Sequence, residues 1–214
     1  MKVEFAPGWA SGLGSLDESK ASILVESSDE WIVLYSGNLG REHDVETILD
    51  CATKLVDREE IVFVIAGEGW KKKHLAERVT SERLKNVRLL PKLPASEFRV
   101  LLSQARLGVV TQSLRTVEVC IPSKTFNLLA AGVPVLGIGK PGSDFGSLIH
   151  EAGAGRVFQP EQVDEICRFL LACKADENSF AHMKKSAIKL ADRFTPANAE
   201  RLLSQFALTS ESDA

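Results

Sequence analysis

With 214 residues, 44% apolar and 26% charged, the chain can bury a sizeable core and has the composition of an ordinary soluble globular protein. A net charge of −3 supplies no basic field for nucleic acid or an anionic membrane as partner. No apolar run approaches the roughly 20 residues of a membrane span and no signal-peptide pattern precedes the fold, so the expectation is a cytoplasmic protein.

Residues 1–29 combine a short apolar piece, VEFAPGWA, with a Gly-, Ser- and Asp-rich stretch of no sustained period, and read as a lead-in segment or linker. From Trp31 the pattern is regular. WIVLYSG is a strand ending in glycine, Val45 to Val56 carries apolar residues at helical spacing, IVFVIAG is a second strand, and Lys71 to Thr80 is a polar-faced helix. NVRLLP, LGVVTQ, VPVLGIG and GRVFQ read as strands three to six. Between and after them come helices at Ser96 to Gln104 with Ser96 as its cap, a short one opening at Pro122, and further ones at Ser143 to Ala152, Glu161 to Cys173, Asn178 to Arg193 and Ala197 to Phe206. The domain is therefore placed at 30–208, with a polar tail at 209–214 expected to fray.

Six near-continuous apolar strands alternating with helices argue for a parallel sheet covered on both faces, a Rossmann-like three-layer α/β sandwich. With strand order 3-2-1-4-5-6 the switch point falls between strands one and four, where ligands bind. That puts Gly37 to Arg41 and Thr111 to Lys124 at the crevice.

Both stretches are chemically unusual. In IPSKTFNLLAAGVPV, Pro122 and Ser123 read as a helix start, with the Ser123 hydroxyl as a cap for free N–H groups, and Gly132 as its stop. Lys124 in the first turn opposes the helix dipole, and an anion held by the first N–H groups, Ser123 and Lys124 would resolve that conflict. In SGNLGRE, glycines at 37 and 40 let backbone N–H groups approach an anion, and Arg41 can offer it two donors. A tight strand-to-helix turn with a solvated Arg explains the same residues equally well. The third glycine of a dinucleotide fingerprint and the acid at the end of strand two are missing. The turn Gly67 to Gly69 can form a nest under a ligand's base or ribose, but a strand exit is the favoured reading for Glu68. In LPKLP, Leu90 to Pro94, the rigid exposed backbone can read a nucleobase edge, although strand termination accounts for the prolines too. Capping is the reading for Ser143 and Asp144. Cys51, Cys120, Cys167 and Cys173 form no C-x-x-C pair and read as buried free thiols. His43, His74, His150 and His182 show no short ligand spacing, which argues against a metal site. No G-x-S-x-G elbow and no D-x-D pair occurs.

YSGNLGR, FVIAGEG, NVRLLPKLP, IPSKTFNLLAAGVPV and EAGAGRVF, in that order, resemble the C-terminal donor-binding domain of GT-B retaining glycosyltransferases of the family-4-like group, which includes bacterial polysaccharide and lipopolysaccharide enzymes. The resemblance runs from Trp31 to about Phe206, and VEFAPGWA resembles the join to a preceding domain. It implies an NDP-sugar donor with its diphosphate on the turn of Gly37, Asn38 and Gly40 and at Pro122 and Ser123, and with Arg41 and Lys124 neutralising the leaving nucleoside diphosphate without a metal. It further implies base contacts at Lys92 and Leu93, ribose contacts at Asn127, an acceptor-binding N-terminal domain in cis or as a separate chain, and peripheral membrane association through that other half. Two positions depart from the family pattern. The usual pair of glutamates is Val119, with Glu118 one residue off, and Asn127, whose amide keeps an acceptor and loses the charge. A usual lysine in the first loop is His43. A non-catalytic nucleotide-sugar-binding module is the alternative, and a sugar-nucleotide epimerase ranks last for want of acid and base carboxylates.

Overall fold

The structure, a computed structural model, describes residues 29–113 and 120–195. The lead-in segment before residue 29, the positions Glu118 and Val119, the helix expected at Ala197 to Phe206 and the tail at 209–214 lie outside the described residues.

Six strands, β1 (Trp31–Ser36), β2 (Ile61–Ala66), β3 (Val87–Leu90), β4 (Ala105–Thr111), β5 (Val135–Ile138) and β6 (Gly155–Phe158), form one sheet in the order β3-β2-β1-β4-β5-β6. Every pairing is parallel. The helices are α1 (Glu46–Lys54), α2 (Lys72–Ser81), α3 (Ala95–Gln104), α4 (Lys124–Ala130), α5 (Asp144–Ala152), α6 (Val163–Ala175) and α7 (Glu177–Ala191). None of these described helices is long and apolar enough to cross a membrane.

Strand residues alternate between two apolar layers because successive side chains point to opposite faces. Trp31, Val33 and Tyr35 pack with α1, α2 and α6, whereas Ile32 and Leu34 pack with α3, α4 and α5. Since both faces are covered, β1 and β2 carry no polar alternation. The β1–β2 register runs from Trp31↔Ile61 to Ser36↔Ala66, and β4 lies on the other side with Leu34↔Gly108 and Tyr35↔Val109. The crevice between β1 and β4 therefore opens at Gly37 and Thr111.

Local details correct several expectations. Ser96 does not cap α3: the helix begins one residue earlier, with Pro94 extended before it and accepting from the Phe98 N–H at 2.9 Å. Ser123 does not cap α4. The N–H groups it would serve, those of Thr125 and Phe126, already donate to the carbonyls of Pro122 and Ser123 at 3.0 and 3.2 Å, and Ser123 itself is helical and exposed. Ser143 does cap α5, accepting from Gly146 N–H at 3.2 Å, and Asp144 is the first helical residue behind it. Gly132 ends α4 as expected. It takes a left-handed φ of 66°, which lets Val133 N–H reach the Leu128 carbonyl at 2.9 Å and Gly132 N–H reach that of Leu129 at 2.9 Å. Cys51, Cys167 and Cys173 are buried thiols, but Cys120, in the loop ahead of α4, is exposed.

Candidate functional site

The turn that leaves β1 is stitched to its neighbour before it does any chemistry. Gly37 N–H donates to the Ala66 carbonyl at 2.9 Å, Leu39 N–H to that of Glu68 at 2.8 Å, and the Tyr35 hydroxyl to that of Asn38 at 2.7 Å. The absence of a side chain at Gly37 makes room for the end of the Lys124 side chain, since a Cβ there would overlap Cε and Nζ and push the ammonium aside. Lys124 comes from α4, on the opposite layer from Tyr35, and its ammonium reaches across the end of β1. Its Nζ lies 3.3 Å from the Tyr35 hydroxyl and 4.7 Å from the centre of that ring.

Burial pulls the Lys124 ammonium below its ordinary pKa, and among the described residues no carboxylate pairs with it. Next to it, Thr111 at the end of β4 places its hydroxyl 3.3 Å from Nδ1 of His43. His43 is also held below its usual value, by burial first and then by the fields of Lys124 and Lys71, with Glu42 opposing them. Lys71 bonds the His43 carbonyl and the Glu46 carboxylate, each at 2.7 Å, which pins the far side of the turn to α1. Burial pushes the Tyr35 phenol up to about 12. The result is a cluster of polar groups at the switch point of the sheet, around a half-buried cation that no carboxylate among the described residues neutralises.

Two adjoining cavities open there. One of about 260 Å³ is lined by Ser36, Gly37, Phe98, Lys124, Asn127 and Leu128 among others. The second, of about 590 Å³, is lined by Gly37, Asn38, Glu68, Lys92, Leu93 and Phe98 among others. Ser36, Gly37 and Phe98 are common to both.

The fold thus gathers Gly37, Asn38, Lys92, Leu93, Lys124 and Asn127 around one cleft. Gly40, Arg41, Pro122 and Ser123 line neither cavity. Arg41 is exposed, its guanidinium 4.7 Å over the ring of Trp70, which is itself 67% exposed on the turn before α2. With only seven residues, α4 brings a short dipole to the cleft, so the charge on that wall is the side chain of Lys124.

Several residues escaped the sequence reading. Glu68 is more than a strand exit: it pairs with Lys72 at 2.5 Å, and that partner, with the Lys92 backbone N–H, holds it below the usual carboxylate range. Phe98 forms part of both cavity walls, and its sole signal in the sequence is an aromatic residue on a short helix. Tyr35 reads as one more apolar strand residue, and nothing before the sheet order is known points its hydroxyl at Lys124.

Residues 17–190 match the model of the family described as Glycosyl transferases group 1. WcaI of Escherichia coli (strain K12), which bears the name of a colanic acid biosynthesis glycosyl transferase, is 28% identical over 136 residues, covering 63% of this chain and 33% of that protein. WbjE of Pseudomonas aeruginosa, named as a glycosyltransferase, is 25% identical over 165 residues, 75% of this chain and 41% of its own length. Among solved structures, Anabaena Alr3699/HepE in complex with UDP and glucose superposes with a TM-score of 0.74 at 14% identity, over 91% of this chain and 54% of that one. The chain spans less than half the length of the two curated relatives. The family match takes in the six strands and the loops that build the cleft, and the superposition covers the same sheet: the chain belongs to the group 1 glycosyl transferases and has the Rossmann-like fold of a GT-B C-terminal domain.

Proposed function

We propose that the chain is the donor-binding half of a retaining glycosyltransferase that moves a hexose-type sugar from an NDP-sugar to a glycan or lipid-linked acceptor in polysaccharide or glycolipid assembly. One observation carries this reading: a half-buried ammonium, Lys124, lies on the backbone of Gly37 at the sheet's switch point, and no carboxylate among the described residues neutralises it. A cation withdrawn this far from water costs stability unless an anion completes it. A diphosphate in the cleft supplies that anion. The naming of WcaI for colanic acid biosynthesis and the UDP and glucose in the Alr3699/HepE structure support the choice of donor and pathway.

In this reading the bond from the anomeric carbon to the diphosphate oxygen breaks with the electron pair going to the oxygen. Lys124 stabilises the charge that develops there, and Arg41 adds positive field at the rim of the same turn. The side chains supply the counter-charge, so no metal ion is required of the mechanism. The acceptor hydroxyl oxygen bonds to the anomeric carbon in place of the diphosphate, and its proton passes to the departing phosphate. Backbone at Lys92 and Leu93 meets the base, and the Asn127 amide meets the ribose. The opposite wall and any hold on the cytoplasmic face of a membrane come from an acceptor-binding domain, in cis or as a separate chain.

Isothermal titration with UDP-sugars and GDP-sugars tests the proposal, with saturable binding to one class expected. Lys124→Met is expected to weaken that binding at least tenfold, about 1.4 kcal/mol. The same change should raise the stability of the ligand-free protein by about 1 kcal/mol, because it removes an unpaired buried charge. Absence of binding to either class would overturn the reading. Asn127 favours a second reading, a non-catalytic nucleotide-sugar-binding module, since it places an amide where the family resemblance expects a carboxylate. A large gain in donor affinity in Asn127→Glu supports that second reading, and no gain supports the first.

A further inference from the structure

A lysine ammonium sits at the end of four flexible carbons, so whatever it bonds decides where its charge is. The hydrogen-bond partner of Lys124 Nζ among the described residues is the hydroxyl of Tyr35, the chain's single tyrosine. That hydroxyl owns one proton, which it donates to the Asn38 carbonyl at 2.7 Å. Its oxygen is left to accept. The ring is wholly buried in the layer that includes Val33, Leu39 and Val45, and the phenol, pushed up to about 12, keeps its proton at any working pH. The Thr111 hydroxyl also bonds this phenol, so the oxygen accepts from Lys124 and Thr111 while the proton goes to the backbone of the glycine turn.

We propose that Tyr35 is a positioning residue for the anion site: its hydroxyl fixes the Lys124 ammonium over Gly37 and so locks α4 to the turn that leaves β1. The proposal rests on the reading of this cleft as a diphosphate site. A hydrogen bond accepted from an ammonium favours its charged form, which counters the effect of burial on Lys124. A phenylalanine would fill the same buried space and pack equally well, so the hydroxyl is the part that needs an explanation.

Tyr35→Phe isolates it, because the ring and its contact with Nζ remain. UDP affinity is measured by isothermal titration in the full chain, in Tyr35→Phe, in Lys124→Met and in the double variant. Positioning predicts a loss of about tenfold on removing the hydroxyl from the parent, the size expected of a hydrogen bond to a charged group, and less than about twofold in the Lys124→Met background. Equal losses in both backgrounds overturn the proposal, since the hydroxyl would then serve only the Asn38 turn. A second measurement needs no nucleotide. In protein labelled with 13C-lysine, the Lys124 resonance should titrate at lower pH in Tyr35→Phe than in the parent, and an unchanged titration overturns the proposal. If the parent chain fails to bind UDP, the diphosphate reading fails, and the lysine titration still decides the role of Tyr35. Should Tyr35→Phe not fold, 3-fluorotyrosine enters at this one position: its 19F signal should move as Lys124 titrates and stay still in Lys124→Met, and a signal that stays still in both overturns the proposal.

Discussion

At the scale of single residues, the cleft is a place where positive charge is held reluctantly. His43 shows the consequence most directly. In the unfolded chain it takes up its proton near its ordinary value of 6.5, whereas in the fold burial and the neighbouring Lys124 and Lys71 delay protonation to lower pH. The unfolded state then binds more protons at acid pH, so the stability His43 contributes is fully present above about pH 6.5 and is lost as the pH falls through its lowered value. Urea unfolding across pH 7 to 5 checks this, with His43→Gln expected to flatten that part of the curve; an equal slope in both proteins would refute it. The sequence marks His43 only as a departure from a family lysine. Its contact with Thr111, 68 positions away, exists because β4 pairs beside β1.

At the scale of elements, the piece that matters is α4. A helix of seven residues does not hold itself together, and this one depends on burying Phe126, Leu128 and Leu129 against the sheet. Gly108 in β4 leaves the space into which Leu128 packs, and a methyl group there would overlap the leucine. Gly108→Ala is therefore expected to lift α4, carrying Lys124 and Asn127 with it. The predicted cost is about 1–3 kcal/mol of stability, or about 2–4 °C of Tm for each kcal/mol in a chain of this size. Nucleotide affinity should fall as well, although Gly108 lines neither cavity. Thermal unfolding and titration of the same variant check both, and an unchanged affinity would show that α4 can repack without moving its cation. The Gly132 stop was legible because a left-handed residue ends a helix in a way its own backbone dictates. The supposed Ser123 cap was not, because whether the first N–H groups are free depends on how the preceding loop folds back.

At the scale of the whole molecule, one parallel sheet divides two apolar layers, and three of the four cysteines lie in the layer on the α1 and α6 side. Cys120 alone is exposed. A disulfide reagent added to the native protein should accordingly modify one thiol fast and the other three only as the fold opens. Rapid reaction of two or more thiols in the native state would contradict the packing. The α/β alternation and the parallel sheet were open to the sequence, and the strand order it assumed is the one the sheet has. Apolar runs of strand length, glycine exits and helical spacing are local signals, and right-handed crossovers leave few ways to join them. What the sequence by itself determined is thus the scaffold and the two loops at its switch point. Only the tertiary structure decided which polar groups meet there. Tyr35 and Lys124 are 89 positions apart and come from opposite layers, and Arg41 turns to Trp70 at the rim of the turn. Such contacts follow from strand register and from how a helix seats on its sheet, and neither is written in any one stretch of the chain.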